Sequence, residues 1–202
     1  IALDEARQNG ARLALTALAA TVDAHGSQDL GTSEVPPFEA YQAYVEGWDA
    51  YWHGDVVRAE SFFLQAAHGD SAFTAADLGA AAAAANSNNC PLVDSLSGVL
   101  ARRQLDRSDR LSVRIADARC RGRNEEMLRL TLERADLEPH NASSQMSAAN
   151  AALWANRPQR ALEIFARVDP AVDLAWLSDT THFTYWSGIV EALHMLGRHR
   201  EE

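Results

Sequence analysis

The stretch from Gly122 to Asn156 reads GRNEEMLRLTLERADLEPHNASSQMSAANAALWAN. Glycine and asparagine, which stand at its two ends, adopt the left-handed conformation that ends a helix more readily than other residues. Such candidate turns recur 34 positions apart, at Gly54, Asn88, Gly122 and Asn156. A fifth, Gly197, follows after 41 positions, one period plus a seven-residue insertion that we place at residues 171–178. This spacing predicts an internal repeat with one tight turn per unit.

Apolar residues at helical spacing fill the segments between these turns. After Asn156, for example, Ala161, Leu162, Phe165 and Val168 recur on one face of a helix. The chain is rich in alanine and has a modest content of β-branched and aromatic residues, and this composition favours helix over strand. The sequence therefore predicts an all-α fold built from helix–turn–helix units.

The unit formed by residues 40–73 resembles the tetratricopeptide repeat (TPR) family. That family has helix pairs of this length, with small residues where helices A and B cross. Gly47 matches the small residue of helix A, and Ala59, Phe63 and Ala66 match the pattern of helix B. The resemblance implies a TPR-like right-handed α-solenoid of antiparallel helix pairs.

The repeat also predicts the domain organisation. We expect an N-terminal helix in residues 1–25, either a cap or the remnant of a preceding domain, and a linker in residues 26–39. The array then occupies residues 40–202, with units at about 40–73, 74–107, 108–141 and 142–178 and a partial unit, a helix A without its helix B, at 183–202. The chain begins at Ile1 without methionine or a signal-peptide pattern, so we expect it to be a piece of a longer protein.

Composition excludes several functions. The chain has 28 acidic and 18 basic residues, for a formal net charge of -10, and every basic residue is arginine. Without lysine it cannot form a P-loop, a protein-kinase site or a Schiff base. An acidic chain is a poor general binder of nucleic acid or anionic membranes, and no uncharged stretch is long and apolar enough to cross a bilayer. We expect neither a nucleic-acid partner nor a membrane span.

Motifs of enzymes and metal sites are lacking as well. The sequence has no Gly-rich phosphate loop, no G-x-S-x-G and no H-E-x-x-H. The seven histidines are scattered, and His194 and His199 stand five positions apart near a helix end, a poor spacing for one metal ion. We therefore predict a protein that is not an enzyme and has no cofactor or metal.

Cysteine usage and compartment leave alternatives open. We prefer to interpret Cys90 and Cys120 as two half-buried thiols, and a disulfide between them is the alternative.

The cellular location of the chain also has two interpretations. A cytoplasmic location is favoured, and the extracytoplasmic part of a membrane-anchored regulator is the alternative.

Binding is the function that the resemblance implies. The A helices of such an array line a concave groove, into which five positions of each unit point. In the first unit all five are aromatic: Tyr41, Tyr44, Trp48, Tyr51 and Trp52. The other predicted groove residues are Leu78, Met146, Asn150 and Trp154. Alternatively, the aromatic residues of the first unit pack against the N-terminal helix or the core.

The resemblance implies a protein–protein interaction module that binds a peptide or partner in the groove. The repeats also look like those of bacterial regulators, which implies the sensory or scaffolding part of a larger bacterial regulatory protein. The alternative is a small-ligand sensing domain, whose aromatic pocket lies at the N-terminal end of the array.

Arginine is concentrated in one region. Residues 102–134 contain ten arginines and six acidic residues, a local charge of +4, whereas the rest of the chain sums to -14. A ridge of Arg103, Arg107, Arg110 and Arg114 could dock an acidic partner through bidentate contacts. We prefer the alternative of a solvated face of mixed charge, which is the usual role of such runs.

The partial last unit predicts self-association. Its unpaired helix A would leave an apolar edge formed by Trp186, Ile189, Leu193 and Leu196. We expect this edge to pair with another copy of the chain or with a downstream helix.

Overall fold

A computed structural model of the chain describes residues 36–171, residue 173 and residues 179–202. Within these ranges the protein is all-helical, as predicted, with no strand. The nine helices are α1 (Phe38–Trp52), α2 (Val56–Gly69), α3 (Thr74–Asn86), α4 (Cys90–Leu100), α5 (Arg107–Cys120), α6 (Asn124–Leu137), α7 (Ala142–Trp154), α8 (Pro158–Phe165) and α9 (Asp179–Met195). The predicted N-terminal helix, most of the linker and most of the insertion lie outside the described residues.

Five left-handed turns connect or follow these helices. The backbone angle φ is +81° at Gly54, +60° at Asn88, +63° at Gly122, +56° at Asn156 and +68° at Gly197. In each case the next residue donates its backbone N–H to the carbonyl oxygen five positions earlier, at 2.8 to 3.0 Å. This hydrogen bond satisfies a carbonyl group that the helix end leaves without a partner. The five turns predicted from the sequence are thus confirmed.

Replacing Gly122 by alanine tests whether the turn needs a left-handed residue, and the helical residue Gly98 provides the comparison. At both Gly122 and Gly98 an added Cβ would have no neighbour within 4 Å, so packing is not affected. Gly122→Ala should lower the free energy of unfolding by about 1 kcal/mol, because alanine is strained at positive φ. Gly98→Ala, inside α4, should raise it by about 0.5–1 kcal/mol, because alanine favours helix. Urea denaturation of both variants measures the two effects, and the same sign for both would contradict this account of the turn.

Short polar side chains cap the N-terminal ends of several helices. Asp55 is the N-cap of α2, and its side chain accepts a hydrogen bond from the backbone N–H of Arg58 at 3.1 Å. Asp106 and Asn141 cap α5 and α7 in the same way. Each cap satisfies one of the N–H groups that a helix start leaves unpaired.

Consecutive helices pack against each other along the described chain. We call the helices that precede a left-handed turn the A helices (α1, α3, α5, α7 and α9) and those that follow one the B helices (α2, α4, α6 and α8). Among the A helices, α1 contacts α3, α3 contacts α5, and α7 contacts α9. The architecture is therefore that of a helical repeat, in which each unit contacts its neighbours.

The first two units meet around a phenylalanine. Phe63 of α2 is fully buried, and its ring lies against Gly47 of α1 and Gly79 of α3. A Cβ atom added at Gly47 would stand 2.7 Å from this ring, and one added at Gly79 would stand 2.8 Å from it. The absence of both side chains therefore makes room for the aromatic ring where three helices meet.

The two cysteines form a disulfide bond, so our preference for two separate thiols is wrong. Cys90 is the first residue of α4 and Cys120 is the last residue of α5, with their Cα atoms 5.5 Å apart. This separation is typical of disulfide bonds. Pairing was not evident from the sequence because the two residues are 30 positions apart and belong to different units. The bond links the second unit covalently to the third.

In the described part of the chain, none of the helices has the length and apolar character that a membrane crossing requires.

Candidate functional site

Side chains from four successive A helices form a connected row near the ends of these helices. Tyr51 of α1 accepts a hydrogen bond through its hydroxyl oxygen from the side-chain amide of Asn86, the last residue of α3, at 2.6 Å. The same amide nitrogen also donates to the backbone carbonyl of Ala82 at 3.0 Å. The first two A helices are therefore joined by a polar contact between side chains that recur at the repeat spacing.

Arginine continues the row to the next two A helices. Arg119 of α5 donates through Nε to the carbonyl oxygen of Ala85 in α3, at 3.1 Å. Its guanidinium carbon lies 4.2 Å from the centre of the Trp154 ring of α7, within the range of a cation–π contact. We call Tyr51, Asn86, Arg119 and Trp154 the A-helix row. Its members are 33 to 35 positions apart, so the repeat itself brings them together.

Burial shifts the pKa values of the two titratable groups of the row, Tyr51 and Arg119. Desolvation lowers the pKa of the Arg119 guanidinium, and the nearby Tyr51 opposes this shift. Desolvation likewise raises the pKa of Tyr51, with Arg119 as the largest opposing influence. Arginine keeps its proton in proteins and the phenol stays neutral at pH 7. The row therefore presents a neutral hydroxyl, an amide and one cation stacked on an indole.

Trp154 is the most accessible member of the predicted groove, with 46% of its surface exposed. Trp48, Tyr51, Trp52 and Asn150 are half-buried. The indole is held in place by its cation–π contact with Arg119, and its exposed part offers a flat apolar surface for a ligand. The part of the predicted groove that a partner can reach is thus centred on the A-helix row.

Four other predicted groove residues are buried: Tyr41, Tyr44, Leu78 and Met146. Tyr44 is only 1% exposed, and its ring centre lies 4.9 Å from that of Phe73 and 5.8 Å from that of Phe63. Trp48 also contacts Phe63, with a distance of 5.1 Å between ring centres. The alternative of packing in the core is therefore the correct one for Tyr44. Helical spacing could not separate the buried aromatics from the accessible ones, because Phe63 and Phe73 come from other elements.

The arginine ridge is paired within the protein. Arg107 contacts Glu133 at 2.9 Å and Arg114 contacts Glu126 at 3.7 Å, whereas Arg110 donates to the backbone carbonyl of Leu105. These charges face acidic or carbonyl oxygens of the chain itself, which agrees with the preferred interpretation of a mixed-charge face.

Arg103 lies in the loop after α4, where it pairs with a buried carboxylate of α3. It forms an ion pair with Asp77 of α3 and donates to the hydroxyl of Thr74 and the carbonyl of Ser71, each at 2.9 Å. Burial raises the pKa of the Asp77 carboxyl, and the charge of Arg103 opposes this shift. Arg103 therefore compensates a buried carboxylate, which would be costly without a partner.

The apolar edge of α9 differs from the predicted one. Trp186 and Leu196 are exposed, whereas Leu193 is 7% exposed and Ile189 packs against the core. The exposed positions of this helix also include Phe183, Val190 and Met195. The predicted edge is therefore wrong for Leu193, which is buried, whereas Ile189 is half-buried against the core.

Three potential metal ligands meet at the end of α9. His194, His199 and Glu202 have ligand atoms within 4.8 Å of one another. A separation of five positions is a poor spacing for one metal ion on a continuous helix. Here the chain turns back at Gly197, where φ is +68°, and this turn brings the ring of His199 to 5.0 Å from that of His194.

Asn86 and Arg119 occupy repeat positions that point into the predicted groove, but they were not among the residues predicted to bind a partner. Both stand at the repeat positions that Tyr51 and Trp154 occupy in other units, and this shared register is the signal that could have identified them.

Comparison of the chain with protein-family models, with curated proteins and with solved structures found no match.

Proposed function

We propose that this chain is a TPR-like right-handed α-solenoid that binds a peptide segment of a partner protein along its A helices. In this proposal it is not an enzyme, and it serves as the sensory or scaffolding part of a larger bacterial regulatory protein. The observation that supports the proposal is the A-helix row. Its contacts join four successive units, from Tyr51 to Asn86, from Arg119 to the carbonyl of Ala85, and from Arg119 to Trp154.

The row suits an extended peptide for two reasons. Its members come from successive units, so they provide contact points along a line that follows the repeat. Tyr51 is held by Asn86, and Arg119 is held by the carbonyl of Ala85 and the ring of Trp154, so little conformational entropy is lost when a ligand binds. Peptide recognition of this kind needs preformed positions for side-chain anchors and polar groups for the peptide backbone.

The chemistry of the row favours a particular type of peptide. The exposed face of Trp154 suits an apolar or aromatic anchor, because aromatic surfaces contribute strongly to interface energies. Arg119 beside it suits a carbonyl or carboxylate oxygen of the same peptide. The expected ligand therefore carries an aromatic or aliphatic anchor next to an acidic or carbonyl group.

The small-ligand alternative has less support. It places a pocket among the aromatic residues of α1, but Tyr44 and Trp48 contact the ring of Phe63. These contacts give both side chains a role in packing the first two units.

A peptide-display experiment tests the proposal. The 202-residue chain is immobilised and used to select from a random 12-residue peptide library, and a selected peptide is then synthesised with a fluorescent label. Trp154→Ala should weaken its binding by about 10-fold to 30-fold, the range expected for an aromatic anchor at an interface. Fluorescence anisotropy gives the dissociation constants.

Trp186→Ala is the matched control, since Trp186 is similarly exposed, at 53%, but lies on α9 outside the row. It should leave the affinity unchanged. Failure of the library to yield a peptide that competes for the row, or an equal loss in both variants, would contradict the proposal.

A further inference from the structure

A cluster of two imidazoles and one carboxylate lies at the C-terminal end of α9. The Nδ1 atom of His194 is 3.3 Å from an Oε1 atom of Glu202, and Nδ1 of His199 is 2.8 Å from the same oxygen. The two imidazole rings lie 5.0 Å apart between their centres. One carboxylate oxygen therefore stands between two ring nitrogens that can each act as a metal ligand.

The backbone holds this arrangement in place. After the left-handed residue Gly197, the N–H of Arg198 donates to the carbonyl of Leu193 at 3.0 Å. Arg198 also makes two hydrogen bonds to the carboxylate of Glu201, at 2.8 and 2.6 Å, and the backbone N–H of Glu201 donates to the carbonyl of Arg198. These contacts fold the segment after α9 back toward His194, so the cluster depends on a defined turn.

The ligand types indicate which metal would suit the cluster. Zinc prefers histidine nitrogen and carboxylate oxygen at about 2.0–2.2 Å, usually with four ligands in a tetrahedron. Two ligand atoms at such bond lengths are roughly 3.3 Å apart. The separation between His194 Nδ1 and Glu202 Oε1 is 3.3 Å, and the pair at 2.8 Å needs to open by only about 0.5 Å.

We propose that His194, His199 and Glu202 bind one Zn²⁺ ion, with the fourth coordination position open to water. Both histidines are exposed, so the ion and a water ligand can reach the cluster. The cluster's two imidazole nitrogens discriminate against Mg²⁺, which prefers an all-oxygen octahedron. This proposal does not rest on peptide binding by the A-helix row.

Isothermal titration calorimetry with ZnCl₂ on the EDTA-treated 202-residue chain tests the site. We expect one Zn²⁺ per chain, and no measurable binding of MgCl₂ at the same concentrations. His194→Ala and His199→Ala should each weaken Zn²⁺ binding by at least about tenfold, because even supporting residues of metal sites have effects of this size. Glu202→Gln, which preserves the shape of the side chain, should weaken it as well.

His140→Ala is the matched control, since His140 is an exposed histidine between α6 and α7. It should leave Zn²⁺ affinity unchanged, and circular dichroism should show the same helix content in all variants. Substitution with Co²⁺ provides a second readout, because four-coordinate Co²⁺ absorbs strongly in the visible range and His199→Ala should abolish that band. Wild-type affinity in the His194 and His199 variants, or an equal loss in His140→Ala, would overturn the proposal.

Discussion

Replacing Phe63 by alanine should lower the free energy of unfolding by about 4 kcal/mol, the cost typical of a large buried aromatic residue. The ring is fully buried and contacts Tyr44 and Trp48 in addition to Gly47 and Gly79. Because both glycines lack a side chain, little can move in to fill the cavity that the ring leaves. Urea denaturation followed by circular dichroism at 25 °C measures the loss.

Phe62→Ala is the matched control for this prediction. Phe62 is the preceding residue of the same helix, is only partly buried, and has Arg58 at 5.2 Å from its ring centre. Its replacement should cost less than half as much, since less apolar surface returns to water. Equal losses in the two variants would show that Phe63 does not hold the junction of the first two units.

A double-mutant cycle isolates the contact between Phe63 and Gly47. Gly47→Ala places a Cβ atom 2.7 Å from the ring in the wild type, so it should destabilise the protein by about 1–3 kcal/mol through overpacking. In the Phe63→Ala background the same change should cost less, because the obstructing ring is gone. Additive effects would contradict the proposed close approach.

Removing the disulfide should have the second large effect on stability. The bond between Cys90 and Cys120 closes a loop with a sequence separation of 30 residues. Cys90→Ala/Cys120→Ala should lower the free energy of unfolding by about 3–4 kcal/mol, chiefly because the unfolded chain gains conformational freedom. The loss is measured by urea denaturation of the oxidised wild type and the double variant side by side.

Reducing agent supplies the control for the disulfide. Dithiothreitol should shift the unfolding midpoint of the wild type toward that of the double variant and leave the double variant unchanged. Titration of the denatured, unreduced wild type with a thiol reagent should find no free thiol. Two free thiols, or equal midpoints without reductant, would contradict the pairing.

Much of the helical layout could be predicted from the sequence because it depends on local backbone preferences. Gly54, Asn88, Gly122, Asn156 and Gly197 all adopt the left-handed conformation expected of helix-ending turns. The close approach at Gly47 was also expected, because a small residue there matches the helix crossing of the repeat. These features concern single residues or spacings along the chain, which the sequence displays directly.

The candidate site was only partly predictable, because it depends on which elements cover each side chain. Tyr44 and Tyr51 both lie on α1, yet Tyr44 is buried against Phe63 and Phe73 whereas Tyr51 joins Asn86 in the A-helix row. The arginine ridge was recognised from spacing, but its acidic partners, such as Glu133, lie on a neighbouring helix. Helical spacing describes one helix at a time and carries no information on its neighbours.

The sequence by itself determined the all-helical class, the period of 34 residues and the five turns, because these follow from the conformational preferences of glycine, asparagine and alanine. Only the tertiary structure decided that Cys90 pairs with Cys120, that Arg119 stacks on Trp154, and that His199 returns to His194. Each of these contacts joins residues of different elements. Their distances depend on how the helices pack and where the chain leaves each turn, which no local pattern specifies.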